Sequence, residues 1–84
     1  MDKVSTIEHT LVLQRVEPEQ NIARFYALMI ERDLFGHVML VRRWGRIGSR
    51  RGRERCEEYA SEVEAAEAMG KLAAAKRQRG YQDL

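Results

Sequence analysis

The chemistry this chain offers lies mainly in its arginines. Residues 42–55 read RRWGRIGSRRGRER and hold Arg42, Arg43, Arg46, Arg50, Arg51, Arg53 and Arg55 with a single acid, Glu54, for a net charge of +6. A guanidinium presents a planar fork of donors that fits phosphate oxygens and stacks on flat rings. Trp44 lies inside this window, and Gly45, Gly48 and Gly52 punctuate it. Forked cations, an indole face and small residues in one segment point to a surface for phosphates and bases. A second basic cluster, Lys76-Arg77-Gln78-Arg79, lies near the C-terminus. The formal net charge of +2 over 84 residues hides this arrangement, because outside the arginine window the chain carries −4.

Other chemistries find little support. His9 and His37 are isolated and Cys56 is the single cysteine, so no zinc-ligand spacing is present. Cys56 is read as a buried or half-buried structural residue. Its same-face strand neighbours would be Glu54 and Glu58, which disfavour a thiolate. Glu57 and Glu58 would point to opposite faces of a strand and could not act as an acid/base pair. The glycines spell neither G-x-G-x-x-G nor a P-loop. Gly45-Arg46-Ile47-Gly48 has the form of the KH-domain G-x-x-G but follows a strand pattern, and Arg51-Gly52-Arg53 has only the core of a minor-groove hook. No catalytic residue, metal site, cofactor or small-molecule substrate is expected.

The elements that must position these residues form an α+β chain. Residues 7–16 alternate, with Ile7, His9, Leu11 and Leu13 on one face, as in a strand. Residues 17–21, EPEQN, make a turn. Residues 22–32, IARFYALMIER, suit a helix or a buried strand; β-branched and aromatic content favours the strand without deciding it. Residues 33–36 connect a hairpin. Residues 37–44 give a further strand with Arg42 and Trp44 on one face. Gly45, Gly48 and Gly52 are then expected to break the chain into a bent, arginine-rich loop, and residues 53–59 to form another strand. Ser61 and Glu64 form a capping box. The helix that follows carries acids at its start, bases at its end and an apolar stripe of Ala65, Ala68, Met69, Leu72 and Ala73. Gly80 stops it. The expected architecture is an antiparallel sheet of about four to five strands with one long C-terminal helix packed across it, in one domain spanning residues 1–84 with its core at about 9–82. Tyr26 and Phe25 read as core residues, and Trp44 as at least partly exposed.

Trp44-Gly45-Arg46-Ile47-Gly48 resembles the signature of the WGR domain family. Asn21 with Arg24-Phe25-Tyr26 resembles the family's Asn-x-x-Lys-Phe-Tyr pattern, with Arg in place of the usual Lys. Gly80-Tyr81 resembles the Gly-Tyr that closes the domain. One departure is Gly52-Arg53, where the family commonly has Gly-Gln. The resemblance covers roughly residues 9–82 and implies that residues 22–32 form a strand. WGR domains occur in poly(ADP-ribose) polymerases, where they bind DNA at strand breaks and relay that event to neighbouring domains. They occur also in bacterial proteins, some described as molybdate-metabolism regulators. A chain of this domain alone would lack polymerase activity. The expected function is non-catalytic binding of nucleic acid, DNA ends or nicks above all, with little sequence preference. Trp44, Gly45, Arg46, Gly48, Arg42, Arg50, Arg51 and Arg53 would form the face, with Asn21 and Tyr81 completing it by analogy with the family. The alternative is a protein-interaction module that meets an acidic partner with the same Trp/Arg surface.

The length suffices for one small domain and leaves little material for a deep cleft. No apolar run approaches a membrane span, and MDKVSTIEHT lacks the apolar stretch of a secretory signal. One cysteine cannot form an internal disulfide, so a cytoplasmic setting is expected.

Overall fold

Residues 22–32 form a strand. In the computed structural model, which describes residues 10–84, the elements are β1 (Thr10–Glu17), a 3-10 turn (Pro18–Gln20), β2 (Ile22–Arg32), β3 (Val38–Arg46), β4 (Gly52–Tyr59), α1 (Glu62–Gln78) and β5 (Gln82–Asp83). They make a five-stranded antiparallel sheet in the order β4-β3-β2-β1-β5, with α1 lying on one face. The fold class and the single helix agree with expectation. The proposed strand placement of Ile7, Glu8 and His9 lies outside the described residues. The short β5, which the sequence did not suggest, pairs Gln82 and Asp83 with Gln14 and Leu13.

Strand alternation sorts the sheet into two faces. Leu13, Tyr26, Leu28 and Leu40 point toward α1 and are buried, the three leucines completely. Each such leucine contributes about 1.5–3 kcal/mol through burial. From the helix, Ala65, Met69 and Ala73 recur every four residues and are buried against this face, flanked by Ala68 and Leu72. The alanines let the helix backbone approach the sheet. Ser61 Oγ accepts the Glu64 N–H at 3.2 Å and caps the start. At the other end Gly80 takes φ +97°, its N–H donating to Arg77 O and the Tyr81 N–H to Lys76 O. This Schellman pair turns Tyr81 back over the core, where it is buried.

Expectations for the arginine-rich loop and for Cys56 fail. The arginine-rich loop is shorter than the glycine positions suggested, because β3 continues through Gly45 to Arg46 and β4 begins at Gly52. Gly45 and Gly52 are cross-strand partners, and only Ile47–Arg51 lie between the strands. A Cβ on Gly45 would come within 3.2 Å of Gly52 Cα and 3.3 Å of Arg51 O, and one on Gly52 within 3.2 Å of Trp44 O. Close backbone packing, rather than a chain break, requires these two glycines. Gly48 is the true turn residue, at φ +86° with open space around it. Cys56, expected to be buried or half-buried, is exposed, because it lies on the edge strand and on the face that the helix does not cover.

The β2–β3 connection is tied by Asp33. Its Oδ1 accepts the Phe35 and His37 N–H groups at 2.8 and 2.9 Å, and its Oδ2 lies 2.8 Å from His37 Nδ1. These bonds, led by the His37 backbone N–H, lower the Asp33 pKa, while the Asp33 side chain and then Glu58 raise that of His37. A raised histidine pKa stabilises the fold fully below the ordinary value and loses that contribution as pH rises through the folded one. A lowered Asp pKa acts above its ordinary value and is lost as pH falls through the folded one. The denaturation midpoint should therefore fall more on His37→Gln at about pH 5.5 than at about pH 8.5. Equal losses at the two pH values would contradict this pairing.

Candidate nucleic-acid interface

One end of the helix-side face departs from the apolar pattern. Register places Tyr26, Trp44 and Arg53 in one row across β2, β3 and β4, and Arg15, Arg24 and Arg46 in the next row across β1, β2 and β3. Three arginines in a row repel, and directly opposed like charges destabilise a sheet. Arg15 is compensated by Glu17, with Nε and Oε2 2.6 Å apart. Among the described residues Arg24 and Arg46 have no carboxylate partner.

This distinction divides the arginine window. Arg43 pairs with Glu54 at 2.9 Å, Arg42 with Glu57 at 3.5 Å and Arg55 with Glu57 at 3.7 Å. Arg46, Arg50, Arg51 and Arg53 have no acid partner among the described residues. The paired arginines lie along the middle of the strands, and the uncompensated ones gather at the end near Trp44.

Trp44 is half-buried, packed on the core beside Tyr26 with ring centroids 6.2 Å apart. It lines three adjoining hollows. The largest, about 400 Å³, is bounded by Arg24, Trp44, Gly45, Arg46, Lys76 and Tyr81. A second is lined by Tyr26, Arg42, Trp44 and Lys76, and a third by Trp44, Gly45, Arg51, Gly52 and Arg53. The expected partial exposure of Trp44 and its shared face with Arg42 both hold.

Asn21 orients Arg46. It follows the 3-10 turn in the left-handed region at φ 56°, a conformation asparagine tolerates well. Its Oδ1 accepts from Arg46 Nη2 at 3.1 Å and its carbonyl accepts from Nη1 at 3.3 Å. Both acceptors are neutral, so the guanidinium is aimed while its charge remains available. Tyr81 meets the site as a buried wall of the groove.

Lys76, which in the sequence lies in a separate basic cluster, also lines the groove. Its Nζ lies 4.5 Å from the Tyr26 ring centroid and 5.4 Å from that of Tyr81, within cation–π range. Burial first, and then the charges of Arg79, Arg24 and Arg42, hold its pKa below the ordinary lysine value. An anion in the groove would relieve that repulsion. The signal was present in the sequence, since a helix ending at the Gly80 turn brings its last basic residues back over the sheet. Arg42 plays a supporting part. Interaction with the Tyr26 hydroxyl, ahead of Glu57, raises its pKa, and its Nε is buried without an acceptor among the described residues.

Not every expected residue joins this face. Arg50 lines a separate cavity on the opposite side of the sheet, with Phe25, Arg43, Ser49, Gly52, Arg53 and Glu54. Phe25 is not in the core as expected. It alternates with Tyr26 and therefore lies half-buried on the face away from the helix, against Gly45 and Gly52. Gly45 lines the groove but owes its identity to backbone packing, and Gly48 shapes the turn after Arg46.

Fold and site together define a small α+β domain whose sheet ends in a cationic, aromatic-walled face. Residues 9–84 match the family described as the WGR domain, and the chain belongs to that family. It is 40% identical over 73 residues to a protein of Sinorhizobium fredii (strain NBRC 101917 / NGR234) described as uncharacterized protein y4dW. The match takes in 87% of this chain and 35% of that protein, so the chain spans about a third of the relative's length. No helix among the described residues is long and apolar enough to cross a membrane.

Proposed function

We propose that this chain is a non-catalytic nucleic-acid-binding module that grips the ends or nicks of duplex DNA with little sequence preference. The observation that carries this reading is the grouping of Arg24, Arg46, Arg53 and Lys76, cations without an acid partner among the described residues, around the half-buried Trp44. Trp44 stacks on a terminal base or sugar. Arg46, aimed by Asn21, forks onto a phosphate. Arg24, Arg53 and Lys76 hold neighbouring phosphates, and Arg51 adds charge at the margin. Tyr81 closes the groove, and Arg42 supports Trp44 from below. Asn21 is the side-chain amide best suited to read a base edge here, and its oxygen is engaged by Arg46, which fits weak sequence discrimination. The chain acts as one WGR unit, in a cytoplasm that keeps the exposed Cys56 thiol reduced.

Trp44 is the only tryptophan, so its fluorescence reports the site directly. Adding a blunt, 5′-phosphorylated duplex should quench or shift it at micromolar concentration in about 50 mM salt. An unchanged spectrum and no binding under those conditions would overturn the reading. Nuclease-insensitive capture of an acidic protein would then favour the interaction-module alternative.

A further inference from the structure

A cavity lies on the far side of the sheet from Trp44. It measures about 250 Å³ and is lined by Phe25, Arg43, Ser49, Arg50, Gly52, Arg53 and Glu54. Phe25, Gly45 and Gly52 are in register across β2, β3 and β4, on the face away from Trp44. The Phe25 ring lies against the two glycines, 3.4 Å from where a Gly45 Cβ would be and 3.8 Å from that of Gly52. With no side chain at Gly52, part of a flat aromatic ring stays open to solvent.

Charge favours an anion here. Glu54 is already engaged by Arg43, whereas Arg50 has no acid partner among the described residues, and Arg53, which borders the cavity, belongs by register to the Trp44 row on the other face. The loop is also held in shape. Ser49 Oγ accepts the Arg51 N–H at 3.0 Å and donates to Arg51 O at 3.1 Å, pinning the backbone on both sides of Arg50. The exposed Arg50 side chain is thereby presented at the cavity without the cost of ordering its loop.

We infer that this cavity receives one nucleotide of a single-stranded arm, its base stacked on Phe25 and its phosphate held by Arg50. This deepens the proposed function and rests on it for the context of the arm. The Trp44 groove and the Phe25 cavity lie back to back, separated only by the strands that carry Gly45 and Gly52. A duplex end seated on Trp44 could send an unpaired strand around the Ile47–Arg51 loop to the other side. The substrate class is then a duplex end or nick with a single-stranded extension.

The test compares three probes: a blunt DNA duplex, the same duplex with a short overhang carrying 2-aminopurine, and the overhang sequence as a single strand. Stacking on one aromatic ring should make the overhang duplex bind about tenfold tighter than the blunt one, with quenching of 2-aminopurine. Arg50→Ala should abolish most of that gain and leave blunt-duplex affinity, read from Trp44, unchanged. Phe25→Leu should abolish the quenching, and circular dichroism would check that this variant folds. Equal affinity for blunt and overhang duplexes, or an Arg50→Ala loss that is the same for both, overturns the inference and leaves the proposed function standing. Binding and quenching of the single strand, lost in Arg50→Ala, with no blunt-duplex binding at all, would support the cavity and overturn the Trp44 reading. Failure of all three probes overturns both.

Discussion

Trp44→Ala should weaken binding of a blunt duplex by about ten- to a hundredfold, the range expected when one aromatic stacking platform is removed. The indole borders the groove walled by Arg24, Arg46, Lys76 and Tyr81, and among the described residues the other ring that lines this groove, Tyr81, is buried. The same substitution removes packing on Tyr26, so some loss of stability accompanies it. Trp44→Phe separates the two effects by keeping a flat ring at the position. It should recover most of the affinity, measured by anisotropy of a labelled duplex because the intrinsic fluorophore is gone. Wild-type affinity in a folded Trp44→Ala chain would remove stacking from the mechanism.

Arg24→Gln should have opposite effects on stability and on binding. Arg24 lies between Arg15 and Arg46 in the sheet and has no acid partner among the described residues. Replacing it relieves a like-charge row and should raise stability by about 0.5 kcal/mol. It should also weaken duplex binding and reduce the salt slope by about one. A functional site commonly retains a local conflict that the fold alone would discard. A chemical-denaturation curve together with a salt titration decides the matter. A destabilised Arg24→Gln chain with an unchanged salt slope would mean that Arg24 serves the fold instead.

Legibility from sequence followed the locality of each signal. The helix start at Ser61, its stop at Gly80 and its buried stripe were readable because caps and the i, i+4 period are encoded within a few residues. The β2 strand was not decided by pattern because both its faces are apolar. Tyr26 and Leu28 are buried beneath the helix while Phe25, Ala27 and Met29 are half-buried on the other face, and this erases the period of two. The resemblance to WGR domains supplied what periodicity could not.

The site was legible as a segment and illegible as a surface. Trp44, Arg46 and Asn21 stand out in the sequence, but that Asn21 holds Arg46 depends on the β2–β3 register and on a left-handed residue after Gln20. Lys76 was missed because it reaches the groove only through the turn at Gly80. Arg50 and Phe25 were misplaced because alternation and the tight loop put them on the other face. The glycines at 45 and 52 read as chain breakers, yet their pairing across β3 and β4 is what lets the sheet continue to Arg46.

The salt dependence of blunt-duplex affinity reads out directly whether the cations around Trp44 face phosphates. Arg24, Arg46, Arg53 and Lys76 facing phosphates should give a log–log slope of about −3 to −4, at about −0.9 per phosphate neutralised. Arg46→Ala should make that slope shallower by about one. Affinity that is independent of salt, or a slope unaltered by Arg46→Ala, would mean that these cations do not hold phosphates.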